Sequence, residues 1–221
     1  MHAALNPLNG LQMELYDEMC SRVPAEQVAP AEPYGDWLYY SRTSGRRDLP
    51  QFCRRRIDGG PEQVLLDLAA LADEHGYAAL GSFSVSADHS LLAIIVDLEG
   101  SEDWRLSVLE LASGRVVSTV PHVLNAEWAE GEVLAYTEMD ERGRPFRALL
   151  HTAGQRAAHD TAVYEEADGA ALVDVAMTKG RRWLTINSNT QSSSEVRLVN
   201  SASPYEPAVL VAPREAGVSY F

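Results

Sequence analysis

Residues 83–97 read FSVSADHSLLAIIVD: an apolar strand, a polar turn and a second apolar strand. The pattern returns in AEWAEGEVLAYTEMD, residues 126–140, and in VDVAMTKGRRWLTINSN, residues 173–189. The three starts lie 43 and then 47 residues apart. Each hairpin is followed by a third strand-like run and a turn, in RLSVLELASG, RALLHTAG and EVRLVNSAS. A period of about 40–50 residues with four strands per unit is the signature of a β-propeller blade. One blade cannot bury both of its faces and needs neighbours. The expected fold is therefore all-β: a partial propeller of three to four four-stranded blades, fewer than most propellers need to close.

Outward from these hairpins the chain stays strand-like. YGDWLYYSR, FCRRRI and QVLLDL are separated by the turns SGRRD and DGGPE and make a first blade over about 34–66. Residues 67–79, DLAALADEHGYAA, read as a short helix with Asp67 at its start and Gly76 at its end. The later blades are expected over about 80–120, 124–166 and 172–211. APREAGVSYF, residues 212–221, looks like the approach to a further blade. Before the blades, Leu11, Leu15, Met19 and Val23 recur four apart, one stripe of a short amphipathic helix. PAEQVAPAEP, residues 24–33, reads as an extended strap, because proline disfavours helix in the residue before it. The organisation expected is thus a helical segment over 1–24, a Pro-rich strap over 25–33 and a partial propeller over 34–221.

Composition narrows the function. Of 221 residues, 18 are Lys or Arg and 32 Asp or Glu, a net charge of −14, so phosphate backbones are repelled and nucleic acid is not an expected partner. No run of eighteen apolar residues exists, so no membrane partner is expected either. The acidic start resembles neither a secretory signal nor a transit peptide, and a cytoplasmic location is the expectation. Arg42, Arg46, Arg47, Arg54, Arg55 and Arg56 cluster against this charge. They read as a solvated hairpin face, with a docking patch for an acidic partner as the other reading. Cys20 and Cys53 form no C-x-x-C pair and are expected as thiols buried like small apolar residues.

No catalytic, cofactor-binding or metal residue is legible. A nucleophile elbow needs G-x-S-x-G, and Gly217 to Phe221 comes nearest but lacks the second glycine. No His pair has H-E-x-x-H spacing, and His2, His75, His89, His122, His151 and His159 read as surface or turn residues. The acidic turn at residues 97–103, DLEGSED, does not match a calcium loop. Trp104, Trp128 and Trp183 fall at strand positions and are expected to pack between blades rather than stack on ligand.

Several strings together resemble the propeller of the prolyl oligopeptidase family, above all its oligopeptidase B branch: YGDWLYYSR, LPQFCRRR, EQVLLDL, HGYAALGSFSVSADHSLLA, VDLEGSEDWRLSVLELASG, VYEE, and SSSEVRLV followed by APREAGVSY. They occur in the family's order over about residues 11–221. Ala87 replaces the family's usual proline, and Leu49 a frequent tyrosine. The resemblance implies one half of a two-domain serine peptidase, in which a seven-bladed propeller covers an α/β-hydrolase domain and admits only short peptides. The oligopeptidase B branch cleaves after Arg or Lys. The catalytic Ser, Asp and His of such enzymes lie downstream of this sequence, so none is assigned to it. The helix at 11–23 is similar to the N-terminal segment that packs on the hydrolase domain. The expected function is a non-catalytic, substrate-gating propeller portion, inactive alone, partnered by a hydrolase domain and, in the full enzyme, by short basic peptides. Self-association through open blade faces is also expected. The alternative is a stand-alone propeller scaffold that binds other proteins.

Overall fold

The computed structural model describes residues 9–24, 26–44 and 49–220. In chain order these form helix α1 (Asn9–Arg22) and strands β1 (Glu26–Val28), β2 (Glu32–Tyr34), β3 (Trp37–Ser44), β4 (Gln51–Arg56) and β5 (Gln63–Asp67). Helix α2 (Leu68–His75) follows. Then come β6 (Ala79–Val85), β7 (Leu91–Asp97), β8 (Arg105–Glu110), β9 (Arg115–Val120), β10 (Val123–Trp128), β11 (Val133–Met139), β12 (Pro145–Thr152) and β13 (Thr161–Glu165). The last four strands are β14 (Leu172–Met177), β15 (Trp183–Asn189), β16 (Ser194–Asn200) and β17 (Val209–Ala212). The chain divides into two compact units, Met1–Ala70 and Leu71–Phe221.

In the first unit β3, β4 and β5 form an antiparallel ladder, and β1 and β2 both pair with β3. The Pro-rich strap is therefore not a free linker: Glu26–Val28 lies opposite Arg42–Ser44, and Glu32–Tyr34 opposite Trp37–Tyr39. Pro30, which has no N–H to donate, falls where that edge strand is interrupted. The arginine cluster is solvated only in part: Arg55 is exposed, whereas Arg54 is buried. The register sets Trp37 opposite Arg56 and Tyr39 opposite Arg54. Arg54 is buried 4.0 Å over the Trp37 ring, Arg56 lies 5.5 Å from the same ring, and Arg42 pairs with Glu62 at 2.9 Å. Cation–π stacking thus engages Arg54 and Arg56, and an ion pair engages Arg42. Arg46 and Arg47 lie outside the described residues. Cys53 is buried as expected, but Cys20 on α1 is exposed, because every described residue of that helix is exposed.

Helix α2 matches its sequence signals. Asp67 Oδ1 accepts the Ala70 N–H at 2.9 Å, and Gly76 closes the helix at φ +85° with its N–H on the Ala72 carbonyl.

The second unit holds three four-stranded antiparallel sheets, β6 to β9, β10 to β13 and β14 to β17, each in simple meander order. These three sheets are blades of a partial β-propeller, numbered II to IV in chain order after the first unit's sheet. Strands β6, β10 and β14 run side by side, so the first strand of each of blades II to IV is innermost. The continuous apolar run LLAIIVD becomes β7, and every one of its residues is buried.

Two hydrophobic seams join these three blades. Between II and III, Leu91, Ala93, Ile95, Leu106 and Val108 meet Trp128, Leu134, Tyr136 and Leu149. Between III and IV, Ala129, Ala135, Ala148 and Leu150 meet Val173, Val175, Leu184, Ile186 and Val199. Trp128 is fully buried, and its Nε1–H donates to the Ser84 carbonyl of blade II at 3.1 Å, so it packs between blades as expected. Trp104 lies against a bulge in β6: Gly81 is the unpaired residue, and a Cβ there would meet the Trp104 ring at 3.1 Å. Trp183 is only half-buried, under the Arg182 guanidinium at 5.3 Å.

The repeated hairpins share their turn chemistry. In blade II the Ser86 Oγ accepts the Leu91 N–H at 3.0 Å and donates to Asp88 at 2.6 Å, with His89 at φ 62°. In blade IV the Thr178 Oγ1 takes the equivalent N–H of Trp183 at 3.2 Å, with Arg181 at φ 53°. At the opposite end of the sheets, Asp97 accepts the N–H groups of Glu99, Gly100 and Glu102, each at 2.9 Å. Asp140 and Thr190 do the same after β11 and β15. The acidic turn at 97–103 is thus organised by its own backbone, and the same backbone hydrogen bonds hold the Asp97 carboxyl below its ordinary range.

Replacing Trp128 by Phe removes the bond to Ser84 and part of the seam between II and III. Urea unfolding followed by circular dichroism is expected to show a loss of about 2 kcal/mol. Trp183→Phe, at a half-buried site, is expected to cost less than about 1 kcal/mol.

Candidate functional site along the innermost strands

Side chains on β10 and β14 that do not enter the seam between II and III form a small polar group. Asn125 Nδ2 donates to the Asp174 carboxylate and to the Val175 carbonyl at 2.8 Å. Its Oδ1 accepts the buried Thr137 hydroxyl at 2.6 Å. Asp174 stands four residues before Thr178, and Asn125 four before Ala129, so the two hold equivalent places before their hairpin turns. Burial raises the Asp174 carboxyl above its ordinary range, against hydrogen bonds from Asn187 and Asn125. Burial also raises Glu127, helped by Asp174 and opposed by Arg181. An open cleft of about 610 Å³ is lined by Leu124, Leu172, Asp174, Asn189 and Gln191. Among the described residues Asp174 is the one acidic side chain that lines it, while Glu127 stands further along β10, outside the cleft.

The histidines divide. His89 and His122 sit in turns at positive φ, His122 against Asp103 at 2.7 Å, while His75 ends α2 and His159 lies in a 3-10 turn at Ala157–His159. His2 lies outside the described residues. His151 departs from expectation: it is wholly buried on β12, its Nδ1 2.8 Å from Asp160 Oδ1, while Tyr136 donates to Asp160 Oδ2 at 2.9 Å. Its neighbours in the ladder explain this, since His151 pairs with Leu134 and shares the face of Leu149 in the apolar run of β12. Burial and the adjacent Asp160 push the Tyr136 phenol far up.

A second cluster joins blades III and IV. Glu166 Oε2 accepts the Tyr164 hydroxyl at 2.6 Å, the Ser188 hydroxyl and Arg214 Nη2 at 2.7 Å, and Oε1 accepts the Asp168 N–H at 2.9 Å. Burial works to raise the Glu166 carboxyl, but these donors together hold it down at about 2. Among the described residues no three His, Cys, Asp or Glu side chains gather as a metal-ligand set, and no helix is long and apolar enough to cross a membrane.

The fold now stands beside known proteins. Residues 1–221 match the family model described as prolyl oligopeptidase, N-terminal beta-propeller domain, and the chain belongs to that family. Protease 2 of Moraxella lacunata is 27% identical over 230 residues, covering 99% of this chain and 33% of that protein. Dipeptidyl aminopeptidase BI of Pseudoxanthomonas mexicana is 31% identical over 240 residues, covering 99% and 33%. Oligopeptidase B from Leishmania major superposes with a TM-score of 0.90 at 22% identity, covering 97% of this chain and 32% of that one. Oligopeptidase B from Trypanosoma brucei superposes at 0.88 and 23% identity, covering 96% and 31%. The chain spans about a third of the length of the relatives it matches.

Because the folded-state Glu166 carboxyl lies below its ordinary 4.5, its contribution to stability is present above that value and is lost as pH falls through about 2. Allowing for solvent screening, that loss is about 2 kcal/mol between pH 6 and pH 2. Urea unfolding across that range is expected to show a loss smaller by about that amount in Glu166→Gln than in the native chain, the remainder coming from other lowered carboxyls such as Asp97.

Proposed function

We propose that this chain is the gating propeller of a serine oligopeptidase, non-catalytic in itself, that filters short peptides and steers those bearing Arg or Lys. The observation that carries the reading is the acidic pair Glu127 and Asp174 on innermost strands, in a chain of net charge −14 that belongs to a peptidase family. In a channel whose walls exclude water, such charges raise the local concentration of cations and their rate of capture. The partner of the propeller is an α/β-hydrolase domain, and α1 with the residue after it offers a surface: Leu11, Leu15 and Met19 on the helix and Val23 beyond it are each 50% or more exposed. Two free thiols agree with a reducing compartment, the cytoplasm.

Extending the reading frame past Phe221 tests the peptidase reading. Continuation through further blades into a G-x-S-x-G elbow is the expected result, and a stop codon with a stable, inert product would overturn it. Steering is tested separately by titrating this chain with a short Arg-Arg peptide amide under NMR. Shifts are expected at β10 and β14, and affinity is expected to fall about tenfold between 50 and 500 mM salt and on the double change Glu127→Gln, Asp174→Asn. Equal shifts with an uncharged peptide would defeat the steering idea while leaving family membership untouched.

Uncovered apolar residues on α1 and on β17, where Val209 and Val211 are more than half exposed, invite pairing between copies. Melting is expected to depend on protein concentration. A sharp monomeric melt independent of concentration would contradict this.

A further inference from the structure

The segment after β17 forms no strand. It turns back and is fastened at two points. At the first, the Arg214 N–H donates to Glu195 Oε2 at 3.1 Å, and its guanidinium reaches Glu166 at 2.7 Å and the Ser188 carbonyl at 3.1 Å. Glu166 follows the outer strand of blade III, and Ser188 lies in the second strand of blade IV. One ion pair therefore ties three separate parts of the chain. At the second, the Tyr220 N–H donates to Ser194 Oγ at 2.6 Å, and its hydroxyl accepts the Val196 N–H at 3.0 Å and donates to the Ala212 carbonyl at 2.7 Å. Val196 and Ala212 are the register partners beside the bulge in the β16–β17 ladder, so the phenol bridges the pair next to the irregularity. Between the two points the Val218 carbonyl accepts the Ser194 N–H at 3.1 Å.

We propose that residues 213–220 act as a strap that holds the seam between blades III and IV closed, with Arg214 and Tyr220 as its fastenings. The two seams differ in what fills them. The one between II and III is filled by the fully buried Trp128, Tyr136 and several leucines, whereas on its blade III side the one between III and IV has three alanines and a leucine fully buried, with Val133, Val163 and Tyr164 only partly buried against them. A seam with less apolar volume depends more on polar ties across it: Asn125 makes one at the innermost strands, with Asp174 and Val175, and Arg214 makes another through Glu166 at the strap. A loosely held connection has no reason to keep an arginine side chain that is only 20% exposed, with its Nε buried and without a partner among the described residues. Desolvating a guanidinium is tolerated where its carboxylate partner is fixed in place, and here Glu166 is fixed by Tyr164, Ser188 and the Asp168 N–H. Release of the strap frees blades III and IV to part locally while each sheet keeps its own ladder.

Hydrogen exchange read by mass spectrometry on the full chain tests this. Arg214→Met is expected to speed exchange at least tenfold in segments 161–177 and 183–189 as well as in the strap, and to leave 79–110 unchanged. Tyr220→Phe, which keeps the ion pair, is expected to act on the same segments more weakly, and it serves if the first variant does not fold. Faster exchange confined to 213–220, or none anywhere, would overturn the proposal.

Discussion

A sheet that is apolar on both faces has no stable existence by itself, and this constraint governs residues 71–221. Strand β7 is buried along its whole length, and on β11 and β12 alternate residues enter opposite seams: Leu134, Tyr136 and Leu149 one, Ala135, Ala148 and Leu150 the other. Each blade is therefore the solvent-excluding wall of the next, and stability is shared between neighbours rather than held by any one sheet. The seams, in turn, bring the first strands together, and that places Asn125 and Asp174 within hydrogen-bond reach although 49 residues separate them.

Turns in this unit are made by short polar side chains that satisfy the backbone. Ser86 and Thr178 close the inner hairpins, while Asp97, Asp140 and Thr190 close the next ones. Much of the negative charge at the sheet ends is thus engaged in local hydrogen bonds. Glu127 and Asp174 on the innermost strands differ from these, since burial raises their carboxyl groups instead of lowering them.

The hairpins were legible because strand and turn residues alternate at close range, and so was α2, whose capping Asp67 and terminal Gly76 are local signals. What depends on a distant partner was not. Residues 26–28 and 32–34 become strands only because β3 offers a ladder edge, and nothing in a Pro-rich stretch announces that. Arg54 is a surface residue by type and is buried by its register opposite Tyr39 and its reach to Trp37. His151 stood in phase with Leu149, a hint of burial that residue type outweighed. Glu166 and Arg214 lie 48 residues apart and meet only when two blades close. The acids of the innermost strands stood inside the quoted hairpins, and only the packing of β10 against β14 distinguishes them from other acids.

The most direct test of shared stability is native-state hydrogen exchange across blade III when only blade IV is changed. Ile186→Ala removes apolar volume from the seam on β15 and touches no hydrogen bond of blade III's own ladder. Mutual support predicts that the amides of β11 and β12 lose protection nearly as much as those of β15. Loss confined to β15 and its ladder partners, with β11 and β12 as protected as before, would show that the blades stand independently.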